Sequence, residues 1–226
     1  MLFSDRPRTH YAHTLAHEVI CQLRFPTILS INNVEPADFQ ERIREEFPQY
    51  ARKQDVLPPK TAGGKPEPQP PVTNYHFLSQ DGRWKLNLTR DFIALSTLGY
   101  HCWEDFAQRL DKPLASFIQL YQPAFFERIG LRYVNAVSRK ALGLEDVPWV
   151  SLIQPAFLGV LAELDVDEQA ASRSSVDAHL ALPEGQRLKL HAGPGLLGGG
   201  KKDPEIKFIL DGDFSVAGSL SADRVP

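Results

Sequence analysis

The stretch Arg128-Ile-Gly-Leu-Arg-Tyr-Val-Asn135 alternates with a period of two: Ile129, Leu131, Tyr133 and Asn135 fall on one side, Arg128 and Arg132 on the other. That period belongs to a β-strand, whose successive side chains point to opposite faces. The chain therefore has to build a sheet with a core face and a basic face. The arginines of such a strand either turn to water or grip an anion.

The same alternation recurs. Between His17 and Phe25 it sets Val19, Cys21, Leu23 and Phe25 against Glu18, Gln22 and Arg24, and Pro26 ends the run. Pro36 then opens a helix in which Phe39, Ile43 and Phe47 recur every four residues, closed by Pro48. From Tyr75 a short run reaches the Asp81-Gly82 turn. Trp84, Leu86 and Leu88 next alternate with Lys85, Asn87 and Thr89, and Arg90-Asp91 turns the chain into Phe92 to Leu98, which predicts a three-strand meander. Trp103, Phe106, Leu110, Leu114, Phe117 and Tyr121 mark a second helical region, where Pro113 predicts a break or a kink.

With the arginine-bearing strand, the order strand, helix, meander, helix, strand resembles a ferredoxin-like split unit with one extra strand, β-α-β-β-β-α-β. Beyond Val137 lie a short segment around Trp149 to Ile153 and strand candidates near Leu158–Leu164, Val176–Leu182, Gln186–Ala192 and Glu205–Asp211, with a turn at Pro183-Glu184-Gly185. The expectation is one α+β domain over residues 1–226: an antiparallel sheet, a β-rich second half, helices packed on one face and one continuous core. Residues 51 to 74, with Pro58, Pro59, Pro66, Pro68, Pro70, Pro71, Gly63 and Gly64, read as a mobile insertion. Residues 193–203 read as a glycine-rich loop, and Ser219 to Asp223 as the start of a further helix.

At 226 residues, 42% hydrophobic and 23% charged, the composition is that of a globular protein. A net charge of -3 gives no global attraction to nucleic acid or anionic membrane, so such a partner would need a local patch. Two cysteines, with no signal-like segment and no apolar run of membrane-spanning length, make the cytoplasm the default location and a membrane partner unexpected.

Four phrases, Glu18-Val-Ile-Cys-Gln-Leu-Arg-Phe-Pro26, Phe39-Gln-Glu-Arg-Ile-Arg-Glu-Glu-Phe-Pro48, Arg128 to Asn135 and Ile209-Leu-Asp-Gly-Asp213, together resemble an uncharacterised bacterial family described as sporadically distributed. The resemblance spans nearly the whole chain. It implies no activity, cofactor or catalytic residue, and it implies a final helix beyond the aspartate-rich strand.

Chemistry therefore rests on the residues. Gly195 to Lys201 has the spacing of a phosphate-binding loop, but Lys202 stands where Ser or Thr would hold magnesium and a strand follows where a helix is needed. His17-Glu18 opens like a zinc-protease helix, yet Cys21 takes the second histidine position. No nucleophile elbow, paired Cys-x-x-Cys or dinucleotide fingerprint occurs, so neither a catalytic residue nor a cofactor is expected. His10, His13 and His17 have helical metal-site spacing but read as an amino-terminal arm leading into a strand. Asp165 with Asp167, and Asp211 with Asp213, share strand faces and are the candidate metal ligands; acidic turns are the alternative.

The candidate binding residues are the cations opposite the core: Arg24, Lys85, Arg128, Arg132, Arg187 and Lys189, with Tyr100 as the aromatic available for base stacking. Three functions fit. One is a non-catalytic binding or accessory protein engaging a protein partner through the sheet face or the extended segment Lys65 to Pro71. The second is RNA or polyanion binding on the basic face. The third is metal-assisted phosphoryl transfer or hydrolysis by the acidic pairs with the arginines.

Overall fold

The computed structural model describes residues 14–56, 58–62, 65–163, 165–197 and 203–221. In chain order come β1 (Ala16–Arg24), α1 (Ser30–Asn33), α2 (Ala37–Ile43), β2 (Gln49–Asp55), β3 (Lys60–Ala62), β4 (Lys65–Glu67), β5 (Val72–Leu78), β6 (Trp84–Leu88), β7 (Phe92–Thr97), α3 (Trp103–Tyr121) and β8 (Phe126–Val137). The second half adds α4 (Arg139–Leu142), α5 (Trp149–Leu152), α6 (Pro155–Leu158), β9 (Val176–Ala181), β10 (Arg187–Leu196) and β11 (Ile206–Leu220). Nine strands form one antiparallel sheet in the order β2-β5-β6-β7-β1-β8-β11-β10-β9, and β3 pairs with β4 as a separate hairpin. The protein is α+β. Among the described residues no helix is long and apolar enough to cross a membrane.

Alternation decides which face is which. On β1, Val19, Cys21 and Leu23 are buried together with Tyr75 and Phe77 of β5, Leu86 and Leu88 of β6, and Ile93 and Leu95 of β7. Phe39, Ile43, Phe106, Leu110, Leu114 and Phe117 of α2 and α3 complete this cluster. A second cluster joins Trp149 of α5, Leu158 of α6, Ala192 of β10 and Phe208 of β11, with Val137 packed against it. Leu131, Tyr133 and Val137 are two and four residues apart on β8 and share one face, so both clusters and all these helices lie on the same side of the sheet. The continuous core expected from sequence is thus two clusters. They part near Asn135, whose side-chain amide donates to the Leu210 carbonyl where an apolar residue would have joined them.

Several expectations differ. Pro113 does not end α3, which runs unbroken from Trp103 to Tyr121. The ring forfeits one backbone bond but is itself buried, and Phe106, Leu110, Leu114 and Phe117 anchor both halves to the sheet. Leu158 to Glu163 form no strand, and Leu164 lies outside the described residues. Pro155 at the first helical position starts α6, a 3-10 turn follows over Gly159–Ala162, and Leu158 and Leu161 pack at helical spacing. The supposed insertion supplies strands: Gln49–Asp55 is β2, paired along its length with β5, so the meander has four strands rather than three. Gly193 to Leu196 continue β10 instead of opening a loop, and Ser219 lies in β11, because the long β8 provides pairing partners as far as Leu220 opposite Phe126. Asp223, like His10 and His13, lies outside the described residues.

The opposite face is not uniformly wet. Across β5 to β7 it buries Asn74, His76, Ala94 and Ser96. Asn87 donates to Asn74, and Asn74 to Asp55, at 3.1 and 2.6 Å. His76 sits in this strip with its Nε2 buried and unpartnered. Burial lowers its pKa from 6.5, Lys53 and Lys85 lower it further, and Asp55 opposes them. As pH falls through about 6.5 the unfolded chain takes up this proton first, so the stability held above 6.5 is lost towards the lower folded value. Urea midpoints measured from about pH 8 to about pH 5.5 are expected to fall for the native chain and to fall less for His76→Gln. Identical slopes for the two proteins would contradict this assignment.

Candidate functional site

All six cations picked from sequence lie on strands and share the face away from the helices. Cross-strand register makes this concrete: Arg24 of β1 sits opposite Arg128 of β8, Asp213 of β11 opposite Arg132, and Lys189 of β10 opposite Asp213. The face does not converge into one basic patch. Asp211 and Asp213, picked as metal ligands, are instead the partners of the arginines.

Arg132 grips Asp211 with a fork, Nε to Oδ1 at 2.8 Å and Nη2 to Oδ2 at 2.5 Å. The bond to Asp211 raises the Arg132 pKa, outweighing partial desolvation. Arg128 donates through Nη2 to both Asp213 oxygens, at 2.8 and 2.7 Å. Since Asp213 is level with Arg132, Arg128 has to reach four residues along its own strand. Gly130 makes the route: a Cβ there would stand 2.3 Å from Arg128 Nη1. The guanidinium lies over a glycine, and a side chain at that position would force it to shift. Lying there also draws it away from Arg24, its like-charged cross-strand neighbour.

The ladder continues outward. His191 of β10 meets Asp177 of β9 at 2.8 Å through Nδ1, and this bond lowers the Asp177 pKa. Arg132, Lys189, His191, Asp211 and Asp213 line a cavity of about 200 Å³. Both signs of charge meet in it. Among the described residues the side chains of Arg24, Lys85, Arg187 and Lys189 make neither hydrogen bond nor ion pair, and they are spread over β1, β6 and β10.

Asp165 and Asp167 stay apart from this ladder. They lie in the turn after the 3-10 segment, where Asp167 accepts from the Gln169 amide. The acidic-turn alternative describes them. Tyr100 is not on the cationic face either: its ring packs edge-on against Tyr133 on the helix side, centroids 5.5 Å apart, with the hydroxyls 3.3 Å apart. A further cavity of about 220 Å³ beside the edge strand β2 is lined by Glu35, Pro36, Ala37, Gln40 and Tyr50 and contains none of the residues chosen from sequence.

Sequence reasoning found the arginines and the aspartates, placed His191 and Asp177 on the same face and allowed for a salt-bridged outer face, but it did not assign which residue pairs with which. The available signal was alternation itself, which assigns all of them to one face. In a double-mutant cycle, Arg128→Ala and Asp213→Ala are expected to couple by about 1 kcal/mol, the upper range for a partly exposed pair. Repeating the cycle in a Gly130→Ala background should reduce the coupling towards zero; coupling that persists there means the guanidinium does not need the glycine. No family model matches the chain, and no curated protein matches it.

Proposed function

We propose that this is a non-catalytic binding or accessory protein that engages a protein partner through the face of β8, β11, β10 and β9. The observation that carries the reading is the ion-pair ladder, Arg128 with Asp213, Arg132 with Asp211 and His191 with Asp177, around a cavity of both signs. Paired charges interleaved with unpaired Arg187 and Lys189 make a surface of mixed polarity. A protein with complementary charges fits it better than a polyanion, for which the two central arginines are already neutralised. RNA binding on a sheet also needs exposed aromatics, and Tyr100 packs on the other side. Metal-assisted phosphoryl transfer needs carboxylates available to a cation, whereas Asp211 and Asp213 are held by guanidinium groups.

The fold supports a finer reading of the same kind. We take β6-β7-β1-β8, in which β7 and β8 both run antiparallel to β1 and α3 connects them, as a ferredoxin-like split unit widened on both flanks.

A photo-crosslinker placed at Lys189 is expected to capture one protein in stoichiometric yield from native lysate, and one placed at Glu104 on α3 is not. Arg187→Glu with Lys189→Glu should abolish capture while leaving the urea midpoint in place. Recovery of nucleic acid instead, with affinity falling steeply as salt rises, would transfer the site to a polyanion. No stoichiometric capture would remove the protein-partner reading.

A further inference from the structure

On the opposite side of the molecule from the ladder, the chain enters α3 through Tyr100-His101-Cys102-Trp103. The ligand atoms of His101, Cys102 and Asp105 lie within 4.8 Å of one another. His101 Nδ1 and an Asp105 carboxylate oxygen are 3.5 Å apart. For a tetrahedral ion with zinc-like bond lengths, about 2.0–2.1 Å to nitrogen and oxygen and about 2.3 Å to sulfur, neighbouring donors stand roughly 3.4–3.6 Å apart. One edge already has that length, and the Cys102 sulfur lies within 4.8 Å of both other donors.

Neither packing nor a cap bond accounts for these three side chains, although His101 and Asp105 form an exposed i,i+4 ion pair at the start of α3. Cys102 occupies the cap position of α3, where Ser, Thr, Asp or Asn would normally bond a free backbone amide, but it makes no side-chain cap bond. His101 is 82% exposed and Asp105 58%, so neither serves packing. The backbone between them is nonetheless anchored on both sides: Tyr100 packs against Tyr133 and Phe106, and Trp103 stacks on Phe106 at 5.9 Å. Donors displayed from an anchored turn lose little freedom on closing around an ion.

We propose that His101, Cys102 and Asp105 form a site for a borderline-soft divalent cation of the zinc type, with the fourth position open to solvent. Thiolate, carboxylate and neutral imidazole are the donor set such an ion takes, and one thiolate with one carboxylate balances its double charge. Binding converts the Cys102 thiol to a thiolate and releases one proton to solvent; no electron moves. The positive end of α3 adds to the stability of the two anionic ligands. Calcium and magnesium, which prefer oxygen alone, are disfavoured.

Cobalt(II) is the probe, added to the full chain without an affinity tag. A thiolate-to-cobalt charge-transfer band saturating at one cobalt per chain is expected, displaced by zinc and not by magnesium. Cys21 is no rival source of the band: it is buried in the core and burial pushes its thiol up to about 12. Cys102→Ser should remove the band, while His101→Ala and Asp105→Asn should each weaken binding by about tenfold or more. Zinc should also raise the melting temperature of the native chain and not that of Cys102→Ser. No sulfur band, a band that survives Cys102→Ser, or an affinity indifferent to all three substitutions would overturn the site.

Discussion

Antiparallel register across β1, β8 and β11 is the constraint on which the rest of the molecule depends. Directly opposed residues share a face, so the side on which β1 puts Cys21 decides where Leu131 and Phe214 go, and the side of Ile20 decides Arg132 and Asp213. The decision passes from strand to strand and changes only at the irregularities between Ala16 and Glu18 and between Ala217 and Leu220. A one-residue slip in any of these pairings would push arginine and aspartate into the Phe106 and Phe117 cluster while exposing the apolar set.

That constraint creates a problem and supplies its solution. Holding Val19, Leu23 and Ile129 on the helix side forces Arg24 and Arg128 to face each other on the other side. Like charges directly across a pair destabilise a sheet. Gly130 leaves space along β8, Asp213 sits at the end of that space, and the guanidinium is drawn there from Arg24. The glycine in the sequence Arg-Ile-Gly-Leu-Arg is thus part of the electrostatics of the sheet rather than a weakness in the strand.

What was legible in the sequence follows from which interactions are local. Val19, Cys21 and Leu23 announced their strand and face because alternation is written into consecutive residues, and Phe39, Ile43 and Phe47 announced a helix in the same way. β2 was not legible: Gln49 to Asp55 lies at the sheet edge, largely exposed, and its place depends on pairing with β5 across the intervening hairpin. Pro113 misled because its penalty is local, whereas the packing that outweighs it comes from strands far away in sequence. The candidate site divided similarly. Its members could be named singly, but the bond between Arg128 and Asp213 spans 85 positions and appears only once register is set.

The two halves of the helix-free face put polar groups to different use. Over β2, β5 and β6 the chain Asp55, Asn74, Asn87 is at least partly buried and internally bonded, with one buried imidazole nitrogen left over; polar groups withdrawn from water and satisfied in one arrangement penalise every other arrangement. Over β8 to β9 the charges are also paired but reach solvent, Arg132 being 47% and Asp177 59% exposed. Pairs of that kind add little to stability, because water already solvates each partner. They do fix where each charge stands. A surface whose charges are positioned at small energetic gain has more to offer in discriminating partners than in holding the fold together, and this difference between the halves favours placing recognition on the β8 to β9 side.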